Sequence, residues 1–140
     1  MKMKYFINLF VILFYFAGLT CSAGEEISII TNLSVPKGNV TRDVIKNIYS
    51  GKLAKWPDNQ NIVLSIMEGT ETHKEFLYTY VNKPEAQFTN TWRKKMFTGQ
   101  RSYPKNFNNA QDLVDFVRNT KGAIGYVNTD EKTNGVNVFK

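Results

Sequence analysis

The sequence predicts an α/β domain in three layers, with a small, mainly parallel sheet flanked by helices. Short β-branched runs alternate along the chain with segments of helical periodicity, and turn-forming residues punctuate the junctions. Size agrees with this. At 140 residues, 42% hydrophobic, 14% aromatic and 21% charged, the chain holds one ordinary domain and no second.

Residues 1–23 read as an export leader. Lys2 and Lys4 give a positive start, Tyr5 to Leu19 is apolar except for Asn8, and Thr20-Cys21-Ser22-Ala23 supplies small residues before Gly24-Glu25-Glu26. The unbroken apolar run from Leu9 to Leu19 is 11 residues. A spanning helix needs about 20, so cleavage after Ala23 is preferred to a membrane anchor. The expected mature domain is 24–140, placed in the periplasm with no membrane insertion after cleavage. A form lipid-anchored through Cys21 is the lesser alternative, because Gly18-Leu19-Thr20 only loosely resembles a bacterial lipoprotein box.

In the mature part, Ile27-Ser28-Ile29-Ile30 is a strand that enters a loop from Asn32 to Asn39. Thr41 caps a helix with Val44, Ile45, Ile48 and Tyr49 on one face, and Gly51 stops it. After the Trp56-Pro57-Asp58-Asn59 turn, Ile62 to Ile66 suits a strand buried on both faces. A helix follows from about Thr72 to Val81, with Phe76, Leu77, Tyr80 and Val81 inward. Pro84 opens the next, in which Phe88, Trp92 and Met96 recur every four residues. Beyond a loop from Thr98 to Asn108, Asn109 caps a helix that buries Leu113, Phe116 and Val117, and Gly122 sits at its C-terminal turn. Ala123 to Val127 and Val136 to Phe139 complete the strands.

Composition removes several chemistries. Cys21 and His73 are the sole residues of their types, so no zinc cage, disulfide framework or thiol pair can be built and no cofactor is expected. His73, one residue into its helix, reads as a surface residue, and without a nucleophile elbow or a second histidine no enzyme activity is expected. Losing Lys2 and Lys4 with the leader lowers the net charge from +6 to +4, a mild basicity that favours anions without requiring nucleic acid. Arg93-Lys94-Lys95 falls in a last helical turn, where the dipole favours cations, so a solvated helix end explains it and no nucleic-acid partner is expected.

The junction Ile66-Met67-Glu68-Gly69-Thr70-Glu71-Thr72 runs from a buried strand into a helix N-terminus, whose free amides and dipole suit an oxyanion. Gly69 permits close approach, and the Thr70 and Thr72 hydroxyls can donate. The opposing reading is purely structural: Thr72-His73-Lys74-Glu75 fits a capping box, and Glu68 and Glu71 can satisfy the dipole internally. Two ionised carboxylates about 5 Å from a phosphate would repel it by roughly a few kcal/mol at an effective dielectric near 20, unless one accepts the proton of hydrogen phosphate.

Ile48-Tyr49-Ser50-Gly51-Lys52-Leu53-Ala54-Lys55-Trp56-Pro57-Asp58, Met96-Phe97-Thr98-Gly99 and above all Asn119-Thr120-Lys121-Gly122-Ala123-Ile124-Gly125-Tyr126-Val127 resemble the phosphate-transporter substrate-binding proteins in order and spacing. The likeness runs from about Ile27 to Phe139. It implies a type 2 periplasmic-binding-protein fold in a short branch that supplies about one lobe, where full-length members close two lobes over phosphate.

Aligned with that family's phosphate loop, Glu68 takes the place of a proton-accepting Asp, Thr70 of a Ser and Thr72 of a Thr. Glu71 replaces a glycine and keeps its amide, while Ile66 replaces an arginine and removes a bidentate contact. Ser34 corresponds to a further phosphate contact. The resemblance thus implies a secreted, non-enzymatic solute-binding lobe that holds phosphate or a related oxyanion weakly through Ser34, Glu68, Gly69, Thr70, Glu71 and Thr72, linked to phosphate uptake and a transporter. The alternative is an envelope interaction module that has lost its ligand and docks an envelope protein through the aromatic and basic surface from Phe97 to Phe107.

Overall fold

In the computed structural model, which describes residues 24–140, three helices open on a side chain that accepts the N–H of the third helical residue. Thr41 does so for α1 (Arg42–Tyr49), Thr70 for α2 (Glu71–Phe76) and Asn109 for α4 (Ala110–Asn119). The fourth, α3 (Glu85–Phe97), starts after Pro84 without a side-chain cap. The expected leader, including Cys21, lies outside the described residues. No described helix is long and apolar enough to cross a membrane.

The cap of α2 lies two residues before the Thr72 that the capping-box pattern points to. Gly69 adopts a φ of +84°, which completes the turn early and leaves Thr70 in the extended conformation a cap requires. At its other end α2 does not run straight to Val81. Leu77–Val81 forms a π-helical turn that stops at Asn82, which is left-handed at φ 56°. Five residues of apolar spacing cannot distinguish that wider turn from an α-turn.

Five strands form one sheet: β1 (Ile27–Thr31), β2 (Val63–Ile66), β3 (Lys105–Asn106), β4 (Ala123–Asn128) and β5 (Asn137–Phe139), in the order β3-β2-β4-β1-β5. The sheet is mixed, which corrects the mainly parallel expectation. β2 runs parallel to β3 and β4, whereas β1 is antiparallel to both β4 and β5. All five residues of β1 are buried. Such a strand reads as apolar whichever way its neighbours point, so the burial pattern carried no direction. The two residues of β3 are both exposed, and they fell inside the expected Thr98–Asn108 loop because they lack a strand signature.

Successive residues of β4 face opposite layers. At Gly125 a Cβ would come within 2.6 Å of Leu113 Cδ2 and 2.5 Å of Ser65 Oγ, so α4 lies against this face. Tyr126 points the other way, stacked on Phe76 of α2 at a centroid distance of 3.9 Å, with Tyr49 of α1 set edgewise against Phe76 at 4.6 Å. The three-layer expectation holds. Both indoles are buried and satisfied, Trp56 Nε1 donating to Gly122 O at 3.0 Å and Trp92 Nε1 to Tyr49 O at 2.8 Å. Met96, expected on the inner face of α3 with Phe88 and Trp92, is 42% exposed and lies beyond the core.

Candidate functional site

β2 ends at Ile66, and Met67, Glu68 and Gly69 carry the chain around the corner into α2. Ile66 is fully buried, so the position of the family arginine faces the core. Most backbone donors of the corner are already engaged. Met67 N–H donates to the Tyr126 hydroxyl at 2.9 Å, Glu68 N–H to Asn106 Oδ1 at 2.9 Å, and Gly69 N–H to Glu85 Oε1 at 2.7 Å. Thr70 N–H reaches Met67 O at 3.3 Å, and His73 N–H reaches Thr70 Oγ1 at 3.1 Å. The amides of Glu71 and Thr72 donate to no acceptor among the described residues.

The side chains are similarly committed. Thr70 Oγ1, besides capping α2, donates to Met67 O at 2.7 Å, and Thr72 Oγ1 donates to Glu25 Oε2 at 2.7 Å. Glu68 Oε1 accepts from Thr89 Oγ1 at 2.9 Å and from the Tyr103 hydroxyl at 3.0 Å. Glu71 pairs with Lys74 at 3.1 Å on the surface. Glu68, Gly69, Thr70, Glu71 and Thr72 therefore share one corner, as the sequence implies.

Ser34 does not join them. Its hydroxyl donates to Gln60 Oε1 at 2.7 Å and accepts from Gly122 N–H at 3.1 Å, at the start of β4. β4 is parallel to β2 with Val63 opposite Ala123, so Ser34 belongs to the end of the sheet where β2 begins, and the corner to the end where it finishes. At about 3.3 Å per residue the two lie roughly 15 Å apart. The loop after β1 leaves the sheet at the wrong end because β1 is antiparallel to β4.

Beneath the corner lies His73, which is fully buried and corrects the surface expectation. The Tyr126 hydroxyl accepts from Met67 N–H and forms a short contact with His73 Nδ1; donating its proton there satisfies the hydroxyl and turns the imidazole N–H toward the Glu85 carboxylate. The neutral imidazole then carries its proton on Nε2. That atom has no hydrogen-bond partner among the described residues and faces Glu85 Oε1 at 4.0 Å. Burial pushes the His73 pKa below its ordinary value, with the Glu85 and then the Glu68 carboxylate pulling the other way. Burial likewise raises the Tyr126 phenol far above its ordinary value. Glu85, His73 and Tyr126 lie in a row that ends on the buried Met67 amide, with a 4.0 Å gap between Glu85 and His73.

Glu85 is thus the residue that spacing missed. Following Pro84 in the first turn of α3, it reads simply as a helix-start acid, and its contact with Gly69 spans 16 positions. Beside it a shallow cleft of about 540 Å³ is lined by Lys74, Tyr78, Asn82, Lys83, Pro84 and Glu85 itself. Lys74 and Lys83 thus share this cleft with the Glu85 carboxylate that holds Gly69 N–H, Lys74 being paired with Glu71.

A family model described as a PBP superfamily domain matches residues 23–138. The chain is also similar in fold to the crystal structure of an ABC-type phosphate transport receptor from Vibrio cholerae, with a TM-score of 0.64 at 16% identity over 83% of this chain and 46% of that one. The chain spans about half the length of that receptor. None of the curated proteins compared with it matches.

Proposed function

From the premise that the chain belongs to the PBP superfamily domain family, we propose that it is a secreted solute-binding lobe in which phosphate or a related oxyanion competes with the protein's own Glu85 for the corner between β2 and α2. One observation carries this reading: Gly69 N–H already holds a carboxylate oxygen at 2.7 Å. A carboxylate is an oxyanion, so the corner has the chemistry of an oxyanion site and comes with an internal occupant.

A solution anion that displaces Glu85 gains the Gly69 amide and the amides of Glu71 and Thr72. Lys83, and Lys74 once it turns from Glu71, supply part of the countercharge that Ile66 does not. Glu68 stands ready to accept a proton from hydrogen phosphate on its second oxygen. The affinity is low, because half a clamp leaves the guest open to water and the displaced Glu85 must find new partners. The uptake role follows the same logic, with a transporter as recipient. The periplasmic setting rests on the leader-like residues 1–23.

Thermal shift with inorganic phosphate against sodium chloride of equal ionic strength tests the proposal. Millimolar phosphate raises the melting temperature of the wild type slightly, and Glu85→Ala raises the response by about tenfold in apparent affinity. No phosphate-specific shift in either protein contradicts the proposal. A second reading, a ligand-free interaction module, is favoured by the engagement of the Met67, Glu68 and Gly69 amides by Tyr126, Asn106 and Glu85. It predicts that Glu85→Ala gains no phosphate response and only loses stability.

A further inference from the structure

At the far end of α3 the chain presents an exposed apolar tip among cations. Phe97 is 82% exposed and Met96 42% exposed, and the turn that follows, 98–100, is exposed throughout. Around them stand Arg93, Lys94 and Lys95. The stem of Lys95 lies along Gly51, where a Cβ would come within 2.4 Å of it, which brings Lys52 to the same end of the molecule. Arg101 donates to Leu53 O at 3.1 Å and lies over the Trp92 ring. Neither 44–57 nor 86–111 contains a single Asp or Glu, so none of these cations is matched by an acid from its own segment.

We infer that this tip is a peripheral docking site for an anionic lipid surface. A large apolar side chain at the crest of a cationic patch matches the requirement for interfacial binding: the ring enters the acyl boundary while the ammonium groups meet lipid phosphates. Shape and composition favour lipid over a protein partner. A protruding ring needs a matching pocket on a protein but none on a bilayer, and a run of cations with no acid in 44–57 or 86–111 matches a continuous sheet of lipid phosphates. Next to the tip is a cleft of about 530 Å³ whose lining includes Trp92, Arg101, Ser102, Tyr103 and Lys105. The inference stands apart from the Glu85 corner, in whose hydrogen bonds Phe97, Lys52 and Lys94 take no part.

The test is co-sedimentation of the protein, isolated as the cell processes it, with vesicles of phosphatidylglycerol and phosphatidylcholine and with phosphatidylcholine alone, at about 0.05 and 0.5 M salt. Binding to the phosphatidylglycerol vesicles at low salt, lost at high salt and absent on phosphatidylcholine, is expected. Phe97→Ser lowers that binding about tenfold. Lys52→Gln and Lys94→Gln each lower it about fivefold. All three side chains are exposed, so circular dichroism and melting temperature stay at wild-type values. The inference is overturned if the protein ignores phosphatidylglycerol vesicles, or if the three variants bind them as the wild type does. Retention of an acidic polypeptide or DNA by the same residues without vesicle binding overturns it as well.

Discussion

Two glycines in left-handed backbone show how much a single position can carry. Gly122, at φ +73°, would place a Cβ 2.0 Å from Asn61 O, whereas Gly69, at φ +84°, has nothing within 4 Å of that point. Alanine at 122 therefore adds a backbone collision to the torsional cost and is expected to lose about 3 kcal/mol, against about 1 kcal/mol at 69, by urea denaturation. His73 carries a pH dependence with a definite sign. Its folded pKa lies below the ordinary 6.5, so the unfolded chain takes up the proton first as the medium is acidified. Stability is flat above about pH 7 and falls as pH drops through 6.5 toward the folded value. His73→Asn keeps an acceptor for Tyr126 without titrating, and melting curves between pH 7.5 and 5.5 should lose that slope. The sequence showed one lone histidine at a helix start and nothing of the tyrosine and carboxylate that enclose it, because both approach from elements far along the chain.

Helices were the most legible elements, because capping is local chemistry. Thr41 and Asn109 cap where the pattern puts them, and Asn109→Ala should cost about 1 kcal/mol in chemical denaturation. Packing between elements was less visible. Asn32 at the end of β1 donates to Val117 O and Arg118 O, both at 2.8 Å, and accepts from Ser34 N–H at 2.9 Å, tying the last turn of α4 to the sheet. From sequence it is one loop residue among several. Asn32→Ala leaves buried carbonyls without donors and is expected to cost about 2 to 3 kcal/mol, more than the cap of α4. The π turn and β3 escaped the sequence for the opposite reason, since each is too short for periodicity to register.

At the scale of the molecule, a mixed five-stranded sheet with α1 and α2 on one face and α4 on the other belongs to the binding-protein superfamily, at about half the length of the receptor it resembles. The strand-to-helix corner was legible because β2 and the start of α2 are continuous in the chain. Ser34 was misplaced because the sequence gives no direction to β1, and Glu85 was hidden because it enters from another helix. On the proposed reading, a lobe that supplies its own carboxylate to the corner stays folded while empty and holds a guest only loosely. The Gly69 amide reports on that exchange directly. In a ¹H–¹⁵N NMR titration with inorganic phosphate, its resonance should move saturably in the wild type and at about tenfold lower phosphate in Glu85→Ala. A Gly69 resonance that stays still in both proteins, while the rest of the spectrum confirms the fold, would contradict the account.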